Sequence, residues 1–292
     1  MAHKSGFINI IGNPNTGKST LMNAMVGEKL SIITSKAQTT RHRIMGIVNG
    51  DNFQMVYSDT PGIIKPHYKL HQSMMKYIET ALIDADIILY VTQVDEKTYE
   101  PEIFQAIHQS GIPVIVLINK IDLSDQVTVL MKITEMKRHF PQAEIFPVSA
   151  LLKFNLDTVF DAILEKLPVA PPYYPKDELT DRSVRFFVSE IIREKILLNY
   201  HQEIPYSAEV VIDHFKEKDQ ITVIGASILM GRESQKAIII GNKGQALKKL
   251  GIEARKEIEA FLGVKVFLEL SVKVRAEWRD DDIQLKRFGY EV

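Results

Sequence analysis

Six short runs rich in β-branched and apolar residues, separated by longer stretches of helical periodicity, constrain this chain more than any other feature. They are Phe7–Ile11, Arg43–Val48, Phe53–Ser58, Ile87–Val91, Pro113–Ile118 and Glu144–Val148. Several are apolar at every position, which suits strands buried on both faces of a mostly parallel sheet. Strands alternating with helices predict an α/β fold with helices on both faces of the sheet. Ligand chemistry is then expected at the carboxyl ends of the strands.

The pattern stops at Pro168–Pro175, PVAPPYYP, where four prolines fall in eight residues. That density excludes a helix and favours an extended, semi-rigid connection. With 292 residues, the chain suits two domains of roughly 100–200 residues each. We divide it into a larger α/β domain (1–168), a proline-rich linker (169–180), a smaller α+β domain (181–275) and a C-terminal tail (276–292). In the smaller domain, Ser183–Leu198 reads as an amphipathic helix, and Ser207–Phe215 and Ile221–Met230 read as strands. Lys236–Ile240 reads as a short strand, Ala246–Leu250 and Glu253–Leu262 as helices, and Val264–Val274 alternates as a strand.

Gly12-Asn13-Pro14-Asn15-Thr16-Gly17-Lys18-Ser19 follows the first strand and precedes a helix expected from about Thr20. This is the P-loop spacing in the strand–loop–helix setting it requires, with glycines that let backbone N–H groups close around phosphates at a helix N-terminus. Lys18 is expected on the β- and γ-phosphates and the Ser19 hydroxyl on Mg²⁺. Asp59-Thr60-Pro61-Gly62 ends the third strand. Asp-x-Pro-Gly is also a common turn, but after a P-loop it places a carboxylate at the metal and the Gly62 N–H at a γ-phosphate. Thr39 and Thr40 lie in the aperiodic stretch Ser35–His42, where a mobile loop can bring a hydroxyl to the metal; Thr40 is preferred, with Thr39 the alternative.

Asn119-Lys120-Ile121-Asp122 ends the most apolar strand. Asp122 is an acceptor-only carboxylate that can take two hydrogens from the guanine edge, whereas adenine presents it with an acceptor. Lys120 can lie along the base and Asn119 can tie this loop to the P-loop. Ser149-Ala150 completes the cradle, with the Ala150 N–H expected at the guanine carbonyl.

In this order, GNPNTGKS, QTTR, DTPG, NKID and VSA resemble the translation-factor-related GTPases, and among them the Era branch. The stretches KLSIITSKAQTTRHRI, IIIGNKGQALKKLGIEARKEIE and VKVRAEWRDD extend the resemblance over the whole chain. The resemblance implies a P-loop GTPase domain followed by a type II KH domain, with GTP or GDP and Mg²⁺ as ligands. Ile63 stands where a Ras-like enzyme has a water-orienting glutamine, so a slow intrinsic GTPase is implied. Asn15 matches the asparagine that holds K⁺ in some relatives, and Thr16 departs from the usual valine. Implied partners are single-stranded RNA from the 3′ region of 16S ribosomal RNA and the 30S ribosomal subunit during its assembly. A cytoplasmic location with peripheral contact to the inner membrane is also implied.

The Gly241-Asn242-Lys243-Gly244 turn and the helix bearing Lys248 and Lys249 are the expected RNA contacts. The net charge is −1, so any contact with nucleic acid must be local. Gly-x-x-Gly is in itself a frequent helix-entry turn, and a KH-like domain that binds a protein or another RNA is the alternative. Relatives that act in RNA modification or metal transport carry catalytic cysteines or membrane spans. This sequence has no cysteine and no apolar run near the ~20 residues that cross a bilayer. No leader is expected, because the run after Lys4 is too short for a signal core. His67 and His71 read as solvated histidines, Asp280–Asp282 as a surface acidic cluster. Trp278 between arginines reads either as a stacking platform or as packing.

Overall fold

The structure, a computed structural model, describes residues 2–36, 38–97 and 100–292. It divides into two compact units, Met1–His67 with His71–Asp181, and Tyr68–Leu70 with Arg182–Val292.

The first unit runs β1 (Lys4–Ile11), α1 (Lys18–Val26), β2 (Ile44–Asn49), β3 (Phe53–Asp59), α2 (Lys69–Ile83), β4 (Ile87–Gln93), α3 (Pro101–Ser110), β5 (Val114–Asn119), α4 (Gln126–His139), β6 (Glu144–Pro147) and α5 (Leu156–Lys166). The sheet order is β2-β3-β1-β4-β5-β6, with β2 antiparallel to β3 and the other pairings parallel. Largely apolar runs occupy its centre: Ile8, Ile10, Ile88, Leu89, Val116 and Leu117 are fully buried. Each such side chain contributes roughly 1.5–3 kcal/mol on burial. The chain leaves β1 for β3 on one side and reaches β4 on the other, so the strand order reverses there. A crevice therefore opens beyond the carboxyl end of β1.

The proline-rich stretch is extended, as expected, and it is bonded to this unit. Val169 bridges Lys4 and Thr180 bridges Gly46. The fully buried Gln54 accepts from the N–H groups of Tyr173 and Tyr174 and donates to the Tyr174 carbonyl. One amide side chain thus satisfies backbone groups that no helix or ladder serves.

The second unit runs α6 (Val184–Asn199), α7 (Ile204–Ser207), β7 (Glu209–Lys218), β8 (Ile221–Met230), α8 (Glu233–Ile240), α9 (Gln245–Leu262), β9 (Lys265–Val274) and α10 (Asp282–Arg287). β8 pairs antiparallel with β7 and parallel with β9. Helices α6, α8 and α9 cover this sheet through Val188, Ile192, Ile239, Leu250, Ala254 and Ile258. With the single-turn α7 and the terminal α10 set aside, the order α-β-β-α-α-β is the type II KH arrangement expected.

Four local readings are corrected. Lys236–Ile240 is helical, not a strand. Gln235 and Ile239, four residues apart, face inward while Ile238 is 50% exposed, so core packing overrides the strand propensity of three isoleucines. The two helical stretches around Gly251 are one helix, α9. The tail is part of the second unit's core: Trp278 is 1% exposed, its Nε1 donates to the Ser207 carbonyl at 3.1 Å, and its ring meets Phe288 edge-on. Trp278 therefore packs and is no stacking platform. His71 is buried, not solvated, and accepts at Nδ1 from the His67 N–H.

In the acidic run, Asp281 caps α10 by accepting from the N–H groups of Ile283 and Gln284. Among the described residues, no cluster of three or more His, Asp or Glu could hold a metal. No helix there is long and apolar enough to cross a membrane.

Candidate nucleotide site and nucleic-acid face

The P-loop closes over the carboxyl end of β1. Gly17 has φ of 95°, and a Cβ placed on it would lie 2.2 Å from Asn119 Nδ2. Both the left-handed backbone and the close approach therefore require glycine. Helix α1 starts at Lys18, two residues before the expected start. No side chain caps its N-terminus at Gly17, and a helix N-terminus left uncapped after a glycine-rich loop suits a phosphate.

Lys18 is 6% exposed, and its Nζ donates to the carbonyls of Gly12 and Asn13 at 2.9 and 2.8 Å. Burial lowers its pKa to about 8, against the raising influence of Asp59 and Glu96. The ammonium is still mostly charged at neutral pH.

Three oxygens meet beside it. Ser19 Oγ lies 2.7 Å from Asp59 Oδ2 and 2.8 Å from Thr40 Oγ1, and Thr40 Oγ1 lies 3.2 Å from Asp59 Oδ2. Asp59 is fully buried, its other oxygen Oδ1 has no hydrogen-bond partner, and burial raises its pKa despite the Ser19 hydroxyl and the Lys18 charge. A buried carboxylate with an orphaned oxygen and two hydroxyls at hand fits a small hard cation. One carboxylate suffices for Mg²⁺, which takes its remaining ligands from water and phosphate. Thr39 is elsewhere: its hydroxyl donates to the Lys36 carbonyl and pairs with Thr34. The geometry thus favours Thr40 over Thr39.

The segment after Asp59 rests on the P-loop. Thr60 Oγ1 donates to the Ile10 carbonyl, and the Ile63 N–H donates to the Gly12 carbonyl. A Cβ on Gly62 would lie 2.7 Å from Pro14 Cα. Pro61 and Ile63 are buried, so Ile63 offers no polar group to a water. Asn15 is exposed, and Thr16 is buried with its hydroxyl on the Asn13 carbonyl. The resulting cleft, about 450 Å³, is lined by Asn15, Lys18, Ser19, Thr20, Thr40 and Gly62 together with residues of the 32–39 stretch. Ile32, Ile33 and Thr34 were missed from the sequence, since their short apolar run lies in a loop with no motif.

Asn119, 2% exposed, joins three loops. Its Nδ2 donates to the Thr16 carbonyl at 2.8 Å and its Oδ1 accepts from the Ala150 N–H at 2.9 Å. The Ala150 N–H, expected to face the guanine carbonyl, is engaged by Asn119 instead. Ser149 is buried and accepts from the Leu152 N–H. Lys120 Nζ donates to the Asn15 carbonyl, which lays its stem across the cleft mouth. Asp122 stands exposed on the turn Ile121–Leu123, open to a base edge.

In the second unit, Gly241-Asn242-Lys243-Gly244 joins α8 to α9. Gly241, Lys243 and Gly244 all have positive φ, and no side chain caps α9 at Gly244. Asn242 and Lys243 are exposed. Beside the turn lies a groove of about 360 Å³, lined by Gly244, Leu247, Lys248, Ile252, Arg255 and Leu270 among others. Lys248 is thus on the groove. Lys249, about 100° further round the helix, pairs with Glu253 at 3.7 Å instead.

The sequence profile of the 50S ribosome-binding GTPase family matches residues 7–120, and that of the KH domain matches 203–279. The chain is 45% identical to GTPase Era of Geotalea uraniireducens over 99% of its own length and 98% of the relative's. It is 44% identical to GTPase Era of Clostridium kluyveri over 99% of each. A crystal structure of Era in complex with MgGDPNP and nucleotides 1506–1542 of 16S ribosomal RNA superposes with a TM-score of 0.95, at 42% identity, over 99% of this chain and all of that one. A variant of Aquifex aeolicus Era bound to GDP·AlF4⁻ superposes equally well, at 41% identity and the same coverage.

Proposed function

The chain belongs to the Era family of GTPases, and from that premise we propose that it binds and slowly hydrolyses GTP while its KH unit holds single-stranded RNA from the 3′ region of 16S ribosomal RNA, in assembly of the 30S subunit. The observation that carries the reading is the meeting of Ser19, Thr40 and the half-satisfied Asp59 beside a buried lysine at a helix N-terminus.

Phosphoryl transfer needs positioning and charge neutralisation more than covalent help from the protein. Lys18 and the P-loop amides hold the phosphates, and Gly62 offers its N–H to the γ-phosphate. Ser19, Thr40 and Asp59 would hold Mg²⁺, which when bound neutralises charge developing on the phosphate oxygens. No side chain at position 63 orients a water, which supports a slow intrinsic rate. Asn15, exposed and lining the cleft, would hold K⁺ in the role an arginine finger has elsewhere. Asp122 selects guanine, with Asn119 and Lys120 bracing the loops around the base.

The RNA contact is assigned to Gly241–Gly244 and to Lys248, the turn reaching the groove through Gly244; Lys249 contributes charge from the flank. The protein acts in the cytoplasm on this reading, with peripheral contact to the inner membrane as a subsidiary part that vesicle flotation tests. Asp122→Asn is expected to lose GTP and gain xanthosine triphosphate, whose O2 accepts where guanine donates; unchanged GTP affinity refutes the base-site assignment. Filter binding of a 16S 3′-end oligonucleotide to wild type and to a Gly241→Asp/Gly244→Asp double variant tests the second half. Equal retention by both would transfer the KH unit to a protein partner.

A further inference from the structure

Arg43 lies three residues beyond Thr40, is 6% exposed, and belongs to none of the motifs. Its guanidinium makes a forked ion pair with Asp84, Nη1 to Oδ2 at 2.6 Å and Nη2 to Oδ1 at 2.9 Å. Nη2 also donates to Asn9 Oδ1 at 3.1 Å, and Nε donates to Ser58 Oγ at 2.6 Å. Asn9 closes the ring by donating to Asp84 Oδ1 and to the Ala81 carbonyl.

These partners occupy informative places. Ser58 immediately precedes Asp59. Asn9 is on β1, three residues before Gly12. Ala81 and Asp84 are in the last turn of α2 and just beyond it, and α2 follows the Asp59–Gly62 segment. One guanidinium therefore ties the end of the loop carrying Thr40 to the strand carrying Asp59, the strand carrying the P-loop and the helix after Gly62. Cutting such a fork leaves a buried charge or an unpaired acceptor, so the tie is stiff.

We infer that Arg43 is a positioning residue for the nucleotide-dependent step: through Ser58, Asn9 and Asp84 it fixes the point from which the segment carrying Thr40 extends, and so sets the Thr40 hydroxyl on the metal site. The inference rests on the GTPase reading. Arg43 touches neither nucleotide nor metal, and its effect is confined to the state in which Thr40 is engaged. Binding of GDP without Mg²⁺ does not involve Thr40 and should not depend on Arg43.

The experiment uses the full chain with Arg43→Gln, Arg43→Lys and Asp84→Asn. Calorimetry measures affinity for GDP without Mg²⁺, then for GDP and a non-hydrolysable GTP analogue with Mg²⁺; turnover is measured across Mg²⁺ concentrations. The expected result for Arg43→Gln is unchanged GDP affinity without Mg²⁺, with the analogue-to-GDP preference and the apparent Mg²⁺ affinity in turnover each reduced about fivefold or more, in the usual range for coupled sites. Arg43→Lys keeps the charge but loses the fork, and should fall between wild type and Arg43→Gln. Asp84→Asn keeps the shape at a site 37% exposed and should shift both readouts in the same direction. It also decides the matter if Arg43→Gln does not fold. Lower melting temperatures with wild-type nucleotide preference and Mg²⁺ requirement would make Arg43 a purely structural residue and overturn the inference. A wild-type protein that retained no nucleotide would instead overturn the GTPase reading.

Discussion

Asn119→Ala is the substitution whose cost the structure states most directly. It strips a partner from two buried backbone groups at once, the Thr16 carbonyl and the Ala150 N–H, on residues 1% and 3% exposed. Each orphaned group costs about 1–3 kcal/mol. The sum is about 2–6 kcal/mol, a large part of the ~5–15 kcal/mol that stabilises a typical domain. Asn119→Asp retains an acceptor for the Ala150 N–H but turns oxygen against the Thr16 carbonyl, and should be no milder.

The same contact makes a sharper test possible. In Gly17→Ala the new Cβ would lie 2.2 Å from Asn119 Nδ2, at a backbone φ of 95°. The overlap disappears once Asn119 is alanine, leaving only the backbone strain, roughly 1–2 kcal/mol. Urea unfolding of nucleotide-free Gly17→Ala, Asn119→Ala and the double variant should therefore be strongly non-additive, the double variant being more stable than the sum of the single costs allows. Additivity within about 0.5 kcal/mol would mean that the two loops are not joined through this side chain, and the bracing role of Asn119 would be wrong.

Other outcomes follow from the same geometry. Lys18 has a pKa near 8, and bound phosphates should raise it, so GTP binding should take up most of one proton at pH 9 and little at pH 7, measured by calorimetry in buffers of different ionisation enthalpy. Because its pKa is lower folded than unfolded, the unfolded chain binds more protons between about 8 and 10.5, and on this group's account nucleotide-free stability rises with pH across that window. Asp59→Asn removes a buried charge whose pKa is raised; by scanning calorimetry without Mg²⁺ or nucleotide it should melt a few degrees higher, while Mg²⁺-dependent GTP binding is lost. GTPase rates should be higher in K⁺ than in Na⁺, and the difference should vanish in Asn15→Ala; equal wild-type rates remove the K⁺ assignment. With Lys248 and Arg255 lining the groove and Lys243 exposed on the adjoining turn, the log–log salt slope for single-stranded RNA should be about −2, and a slope near zero would exclude phosphate contact there.

What could be read in advance divides by the range of the interactions. At the nucleotide site, function demands backbone conformations and atoms that only a few residue types provide, so Gly17, Lys18, Ser19 and Asp59 are visible in a linear string. The strands of the first unit are visible because a sheet buried on both faces needs unbroken apolar runs. Thr40 was preferred from the chain, with Thr39 kept as the alternative because both are loop threonines. It is Thr40 whose hydroxyl the fold brings to 3.2 Å from Asp59.

The misread elements are those whose conformation depends on distant partners. Lys236–Ile240 has the side chains of a strand, and becomes a helix because Ile239 must join the core while Gln235, one turn earlier, is buried and donates to Ser207. For Trp278 the chain left stacking and packing both open; Phe288 against its ring and Ser207, seventy-one residues away and accepting from its Nε1, decide for packing. Arg43 was passed over for the same reason, since its partners Asn9, Ser58 and Asp84 are scattered over three elements. Its hydrogen bonds to Asp84, Asn9 and Ser58 show how a residue outside every motif can govern one inside: a hydroxyl is useful at a metal only if the chain leading to it starts from a fixed point.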